Sequence, residues 1–269
     1  MDTRRRRALI ESFEPRIMYS AGPGPAGLAA AVLTAAEVQV DGGEALQGSG
    51  SELVFIDARV PELQRLLDDL AVVLDATRAA MPKHQPLVLL GHSLGGLVAA
   101  DFVASGLRHV DGLVLSSPAL ALHLSGVQKA LVASLPRLLP NLRVANGVQS
   151  AHLSHDPDVA LAYDADALQH RRISARLARY MAEGGRHVLS KAPAWCVPTL
   201  LLWAGEDKLV NPAGSAAFAA QAPRDLVQSQ CFEAAYHEIF NESEALAAPV
   251  FARLQQWLAQ QFPQRLGGV

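Results

Sequence analysis

Ser93 stands in Gly91-His92-Ser93-Leu94-Gly95, a G-x-S-x-G directly between an apolar run and a helical pattern. That context suits a nucleophilic serine on a strained strand-to-helix turn, with glycines two positions either side where side chains would clash. A serine hydroxyl is a poor nucleophile at neutral pH, so acyl transfer needs a base to take its proton and an acid to orient the base. Both are available further along. Asp207 follows in Gly205-Glu206-Asp207-Lys208, and His237 in Tyr236-His237-Glu238. Glu206 is the rival acid. The order Ser93, Asp207, His237 matches one of the known chain orders for such triads. The backbone N–H of Leu94, opening a helix, is the expected oxyanion donor.

Other chemistry-bearing residues read more plainly. His92 is expected to pack in the turn beside Ser93, and His84, His109, His123, His152, His155, His170 and His187 read as surface or hydrogen-bonded structural histidines. None shows the H-E-x-x-H spacing of a zinc helix, so no metal is expected. Cys196 and Cys231 sit in apolar stretches and read as core thiols. Gly22, Gly24 and Gly27 fit G-x-G-x-x-G, and Asp41 falls near the spacing of about 20 expected of a ribose-binding acid. Pro23 and Pro25 stiffen that loop, so it reads as a Gly/Pro-rich leader, and no cofactor is expected.

The elements that must position Ser93, Asp207 and His237 alternate from residue 52 onward, as in a mostly parallel α/β sheet flanked by helices. Strands are expected at 52–57, 86–90, 112–117, 198–205 and 225–232, and helices at 61–81, 94–106, 212–221 and 243–261. Between 118 and 193 the strand rhythm stops, with Pro136, Pro140 and Pro157 as breaks, which suggests an inserted helical cap. Residues 1–50 are Gly, Pro and Ala rich, with only 36–40 resembling a strand, and are expected to be a partly disordered leader to a domain over 51–269.

The chain has 269 residues, half of them hydrophobic, enough to bury one sizeable core. A charged fraction of 18 % and net charge of −3 give no footprint for nucleic acid. No apolar run approaches the about 20 residues of a membrane span. Arg6-Arg7 imitates a twin-arginine signal, but Glu11, Glu14 and Pro15 occupy the stretch that should turn apolar, so a cytoplasmic location is expected.

LVLLGHSLGG (87–96), LSHDPDVALAYDADALQHRR (153–172), PTLLLWAGEDKLVNP (198–212) and YHEIFNE (236–242) together resemble the monoacylglycerol lipase and lysophospholipase family of α/β-hydrolases. The resemblance runs from about Leu66 to Gln261. It implies Ser93 as nucleophile, Asp207 as triad acid, His237 as base, and a cap over 118–193 that shapes an acyl-chain tunnel and touches lipid surfaces peripherally. Substrates would be small: monoacylglycerols, lysophospholipids or simpler carboxylic esters. The departure lies before Leu66, where the family has an H-G-x-G-E-type loop that supplies a second oxyanion donor. No histidine precedes His84 here. Instead, residues 12–21 with 52–70 resemble the leader region of large bacterial surface proteins of the adhesin kind. A hydrolase fold with half of its oxyanion hole missing is therefore the alternative expectation.

Overall fold

The apolar run before Ser93 forms β3 (Leu87–His92) at the centre of the fold, with its first five residues buried. This computed structural model describes residues 30–33, 52–56, 63–139, 142–167, 169 and 171–263. Around β3 lie β1 (Ala30–Leu33), β2 (Glu52–Ile56), β4 (Gly112–Ser116), β7 (Thr199–Ala204) and β8 (Val227–Phe232), in the order β1-β2-β3-β4-β7-β8. All neighbours are parallel except β1, which runs antiparallel to β2. The strand at 30–33 was not expected. The stretch 36–40, the glycine-rich loop at 22–27 and Asp41 lie outside the described residues.

Parallel strands need crossovers, and helices supply them. These are α1 (Leu63–Ala80), α2 (Ser93–Ala104), α5 (Ala175–Lys191) and α6 (Pro212–Gln221), and α7 (Glu244–Gln261) follows the last strand. Strand residues alternate between two cores, as a period of two requires. Leu87, Leu89, Leu113, Leu115 and Leu201 join Leu66, Leu70, Leu97, Phe102 and Phe218 on one face. Val88, Leu90, Val114, Leu200 and Leu202 meet Val250 and Trp257 on the other. Continuous hydrophobicity in β3, β4 and β7 follows from this burial on both faces.

Between β4 and β7 the chain forms α3 (Gly126–Leu138), β5 (Arg143–Ala145), a 3₁₀ turn at Ser150–His152, α4 (Pro157–Ala165), β6 (Arg172–Ser174) and then α5. Two of the expected proline breaks behave otherwise. Helix α3 runs past Pro136, and Pro157 opens α4 behind the Asp156 cap, whose side chain accepts the Asp158 N–H at 2.9 Å. β5 and β6 form one short antiparallel pair where no strands were expected. Helix α5 docks on α2 through Tyr180 and Val188, with the Tyr180 hydroxyl donating to the buried Asp101 at 3.1 Å and His187 Nδ1 2.9 Å from the same carboxylate. Of the two free thiols, Cys231 is half-buried and pushed up to about 11, chiefly by burial and also by Glu233. Cys196 is exposed, contrary to its reading as a core thiol, because it lies in the turn before β7.

Candidate active site

Ser93 is the first residue of α2 and has φ of +54°, a left-handed conformation that few side chains adopt. The surrounding glycines explain how the turn is held. A Cβ on Gly91 would stand 2.5 Å from the Gly95 carbonyl oxygen, and one on Gly96 would stand 2.9 Å from Pro118 Cβ. Ala119 N–H donates to the Ser93 carbonyl at 2.9 Å, tying the end of β4 over the turn. No side chain caps α2, whose N-cap is His92. The first-turn amides, including that of Leu94, are thus not capped by the His92 side chain, and the positive helix end lies at the serine.

Asp207 lies in the loop after β7 and His237 in the loop after β8, both at carboxyl ends of parallel strands. His237 Nδ1 is 2.6 Å from Asp207 Oδ2, and both residues are buried. Asp207 Oδ1 accepts the backbone N–H groups of Leu209 at 2.8 Å and Val210 at 2.9 Å, which fixes the carboxylate. Glu206, the rival acid, is exposed. With Nδ1 donating to Asp207, the His237 lone pair is left on Nε2. The His237 ring is 4.8 Å, centroid to centroid, from that of His92, the residue before Ser93. Among the described residues no hydrogen bond joins His237 to the Ser93 hydroxyl.

Two carboxylates that the sequence reading passed over hold this region together. Glu238 Oε1 lies 3.1 Å from His92 Nε2, and His92 Nδ1 lies 3.0 Å from Ser116 Oγ. Burial alone would raise the Glu238 carboxyl, but the charge and hydrogen bond of His92, with smaller help from His237 and Asn241, hold it at about 2. His92 is moved the opposite way: burial would lower it, yet Glu238 and the more distant Asp207 raise it above the ordinary imidazole value. Glu242 accepts from Tyr236 N–H at 2.7 Å, His155 N–H at 2.9 Å and Ser154 Oγ at 3.2 Å, and faces His155 Nδ1 at 2.8 Å. These bonds outweigh burial and hold its carboxyl below the usual range. The Tyr236 ring stacks on His155 at 3.8 Å and carries Lys208 Nζ 4.6 Å from its centroid. His92 and Glu238 directly flank Ser93 and His237 in the chain, and that adjacency was the available signal.

A strained serine at a helix start, a histidine bound to a fixed carboxylate, and amides at the helix end can together support acyl transfer. Residues 47–244 match the family described as serine aminopeptidase, S33. The chain is 33 % identical over 190 residues to the phospholipase YtpA of Bacillus subtilis, covering 69 % of this chain and 72 % of that protein. It is also 33 % identical over 163 residues to the monoacylglycerol lipase of Mycolicibacterium smegmatis, covering 59 % of this chain and 58 % of that protein. It spans 19 % of a long abhydrolase domain-containing relative from Dictyostelium discoideum. The crystal structure of Paleococcus ferrophilus monoacylglycerol lipase superposes with a TM-score of 0.65 at 28 % identity, covering 72 % of this chain and 76 % of that one. Fold, site geometry and these matches agree: the chain belongs to the serine aminopeptidase S33 family and has the α/β-hydrolase fold.

Proposed function

We propose that the protein hydrolyses carboxylic esters through an acyl-enzyme on Ser93, with His237 as base and Asp207 as the acid that orients it. The buried 2.6 Å contact between His237 Nδ1 and Asp207 Oδ2, beside the strained turn at Ser93, carries this reading. Ser93 Oγ attacks the ester carbonyl carbon while its proton passes to His237 Nε2. The developing oxyanion is met by the Leu94 N–H. Collapse breaks the bond to the alcohol, which leaves with the proton from His237, and water then releases the acid by the same path. No cofactor takes part.

Two of the relatives bear the names monoacylglycerol lipase and phospholipase, which points to monoacylglycerols and lysophospholipids as substrates, with simpler esters beside them. The segment 118–193 would act as the cap, and its exposed Val127, Leu131, Leu139, Leu142 and Leu161 suit peripheral contact with a lipid surface. Among the described residues no helix is long and apolar enough to cross a membrane. The cytoplasmic location is part of the same proposal, and fractionation of cells expressing a tagged chain checks it. Release of fatty acid from a monoacylglycerol and hydrolysis of a short activated ester should both vanish in Ser93→Ala. Retained hydrolysis in that variant would refute the reading.

The absence of histidine before His84, and so of the H-G loop, favours a second reading in which the triad works with one oxyanion donor. Losing one donor costs about 10² to 10³ in turnover. Turnover of about 10 s⁻¹ or more, the median for enzymes, would contradict it.

A further inference from the structure

The loop bearing His237 is joined to the strand that leads into Ser93 by an ion pair between residues 146 positions apart in the chain. His92 immediately precedes the candidate nucleophile, and Glu238 immediately follows the candidate base. Their contact at 3.1 Å therefore links the two covalent neighbours of the reacting groups. Each partner is fixed from behind. His92 Nδ1 is 3.0 Å from Ser116 Oγ, its register partner across β3 and β4. Glu238 Oε2 accepts the Asn241 amide at 3.0 Å, and Glu238 N–H donates to the Leu153 carbonyl at 2.8 Å. His237 itself meets the β3 side through its ring contact with His92, 4.8 Å between centroids.

We infer that His92 and Glu238 are positioning residues for the reaction proposed above: their bond sets how far His237 stands from Ser93. The inference rests on that proposed reaction. A movement of His237 away from Ser93 stretches the His92–Glu238 bond. Misplacement of a catalytic group by about 1 Å can cost 10²-fold in rate. A group that only held the fold together would affect stability instead.

The charges that face His92 are Glu238 directly, Asp207 at longer range and the neighbouring His237; Ser116 offers a neutral hydroxyl. The imidazolium of His92 is favoured by the two carboxylates, so the bond is charge-assisted below the raised His92 value. When pH rises past the raised His92 value, the ring becomes neutral and the contact weakens. Turnover should therefore pass through a maximum and decline on the alkaline side.

The test measures kcat and KM on a short activated ester, and the rate of Ser93 labelling by a fluorophosphonate, against pH. The proteins are wild type, Glu238→Gln, His92→Gln and the double variant. Glu238→Gln is expected to lose about 10- to 10²-fold in kcat and in labelling rate, with KM nearly unchanged. Both single variants should lack the alkaline decline, and the double variant should be no slower than the slower single one. Wild-type kcat in a folded Glu238→Gln, or losses that add in the double variant, would overturn the inference. Should Glu238→Gln fail to fold, His92→Gln decides: its amide can still donate to Glu238, and an alkaline decline that persists in it would overturn the inference. Absence of labelling in the wild type would instead refute the hydrolase reading, and with it this one; labelling that proceeds normally in every variant refutes the positioning role alone.

Discussion

Asp207 uses its two oxygens differently: Oδ1 is held by two backbone N–H groups and Oδ2 is left for His237. Asp207→Asn would keep the shape but place a donor where His237 donates, favouring the wrong imidazole tautomer. We expect kcat to fall by about 10⁴ with little change in KM, measured on a short ester. Glu242 behaves as a structural counterpart. Its side chain is fully buried and every neighbour is a donor, so Glu242→Gln turns an amide NH₂ toward N–H groups. We expect a stability loss of about 1–3 kcal/mol, read by denaturant unfolding. The candidates Ser93 and His237 stand out in their local motifs, whereas Glu206 and Asp207 could be ranked only by family pattern. Neighbouring residues point to different sides of a loop, and which side faces the site depends on the sheet. His92, Glu238 and Glu242 looked ordinary because their partners lie 146 and 87 positions away.

The elements that carry the site leave little room where they meet. A Cβ on Gly91 would collide with the carbonyl of Gly95, and one on Gly205 would stand 2.5 Å from the Glu233 carbonyl oxygen. Gly91→Ala and Gly205→Ala should each lower stability by about 1–3 kcal/mol and reduce activity with it, because the clashes are with backbone. Thermal unfolding and ester turnover on the same samples check this. β3, β4 and β7 were readable because strands paired on both edges and covered on both faces carry apolar runs bounded by turns, whereas β8 is an edge strand with a mixed polar sequence. Helix α5 was less so. Its pattern shows that one face is buried, but only the fold shows that Tyr180 and Val188 meet α2. Pro136 and Pro157 were misread as breaks for a similar reason: a proline near a helix start fits without loss of a hydrogen bond, and one near the end of α3 does not stop the last residues.

Across the described residues four carboxylates are held below their ordinary range: the exposed Asp75, by Arg108, and the more buried Asp111, Glu238 and Glu242. Burial opposes this shift in each, and it is outweighed by the Leu87 N–H and Arg78 at Asp111, by His92 at Glu238, and by Tyr236 N–H and His155 at Glu242. A depressed carboxyl contributes stability that is complete above its unfolded value and is lost as pH falls through its folded value. For Glu238 that loss spans pH 4.5 to about 2. Unfolding free energy should therefore fall across this acid range, and Glu238→Gln should flatten the fall; an unchanged slope in that variant would contradict the assignment. The most direct measurement of the central claim is labelling of the purified protein with a fluorophosphonate, followed by peptide mass spectrometry. The account predicts a single adduct on Ser93 that is lost in His237→Ala; an adduct on another residue, or none on the folded wild-type protein, would contradict it.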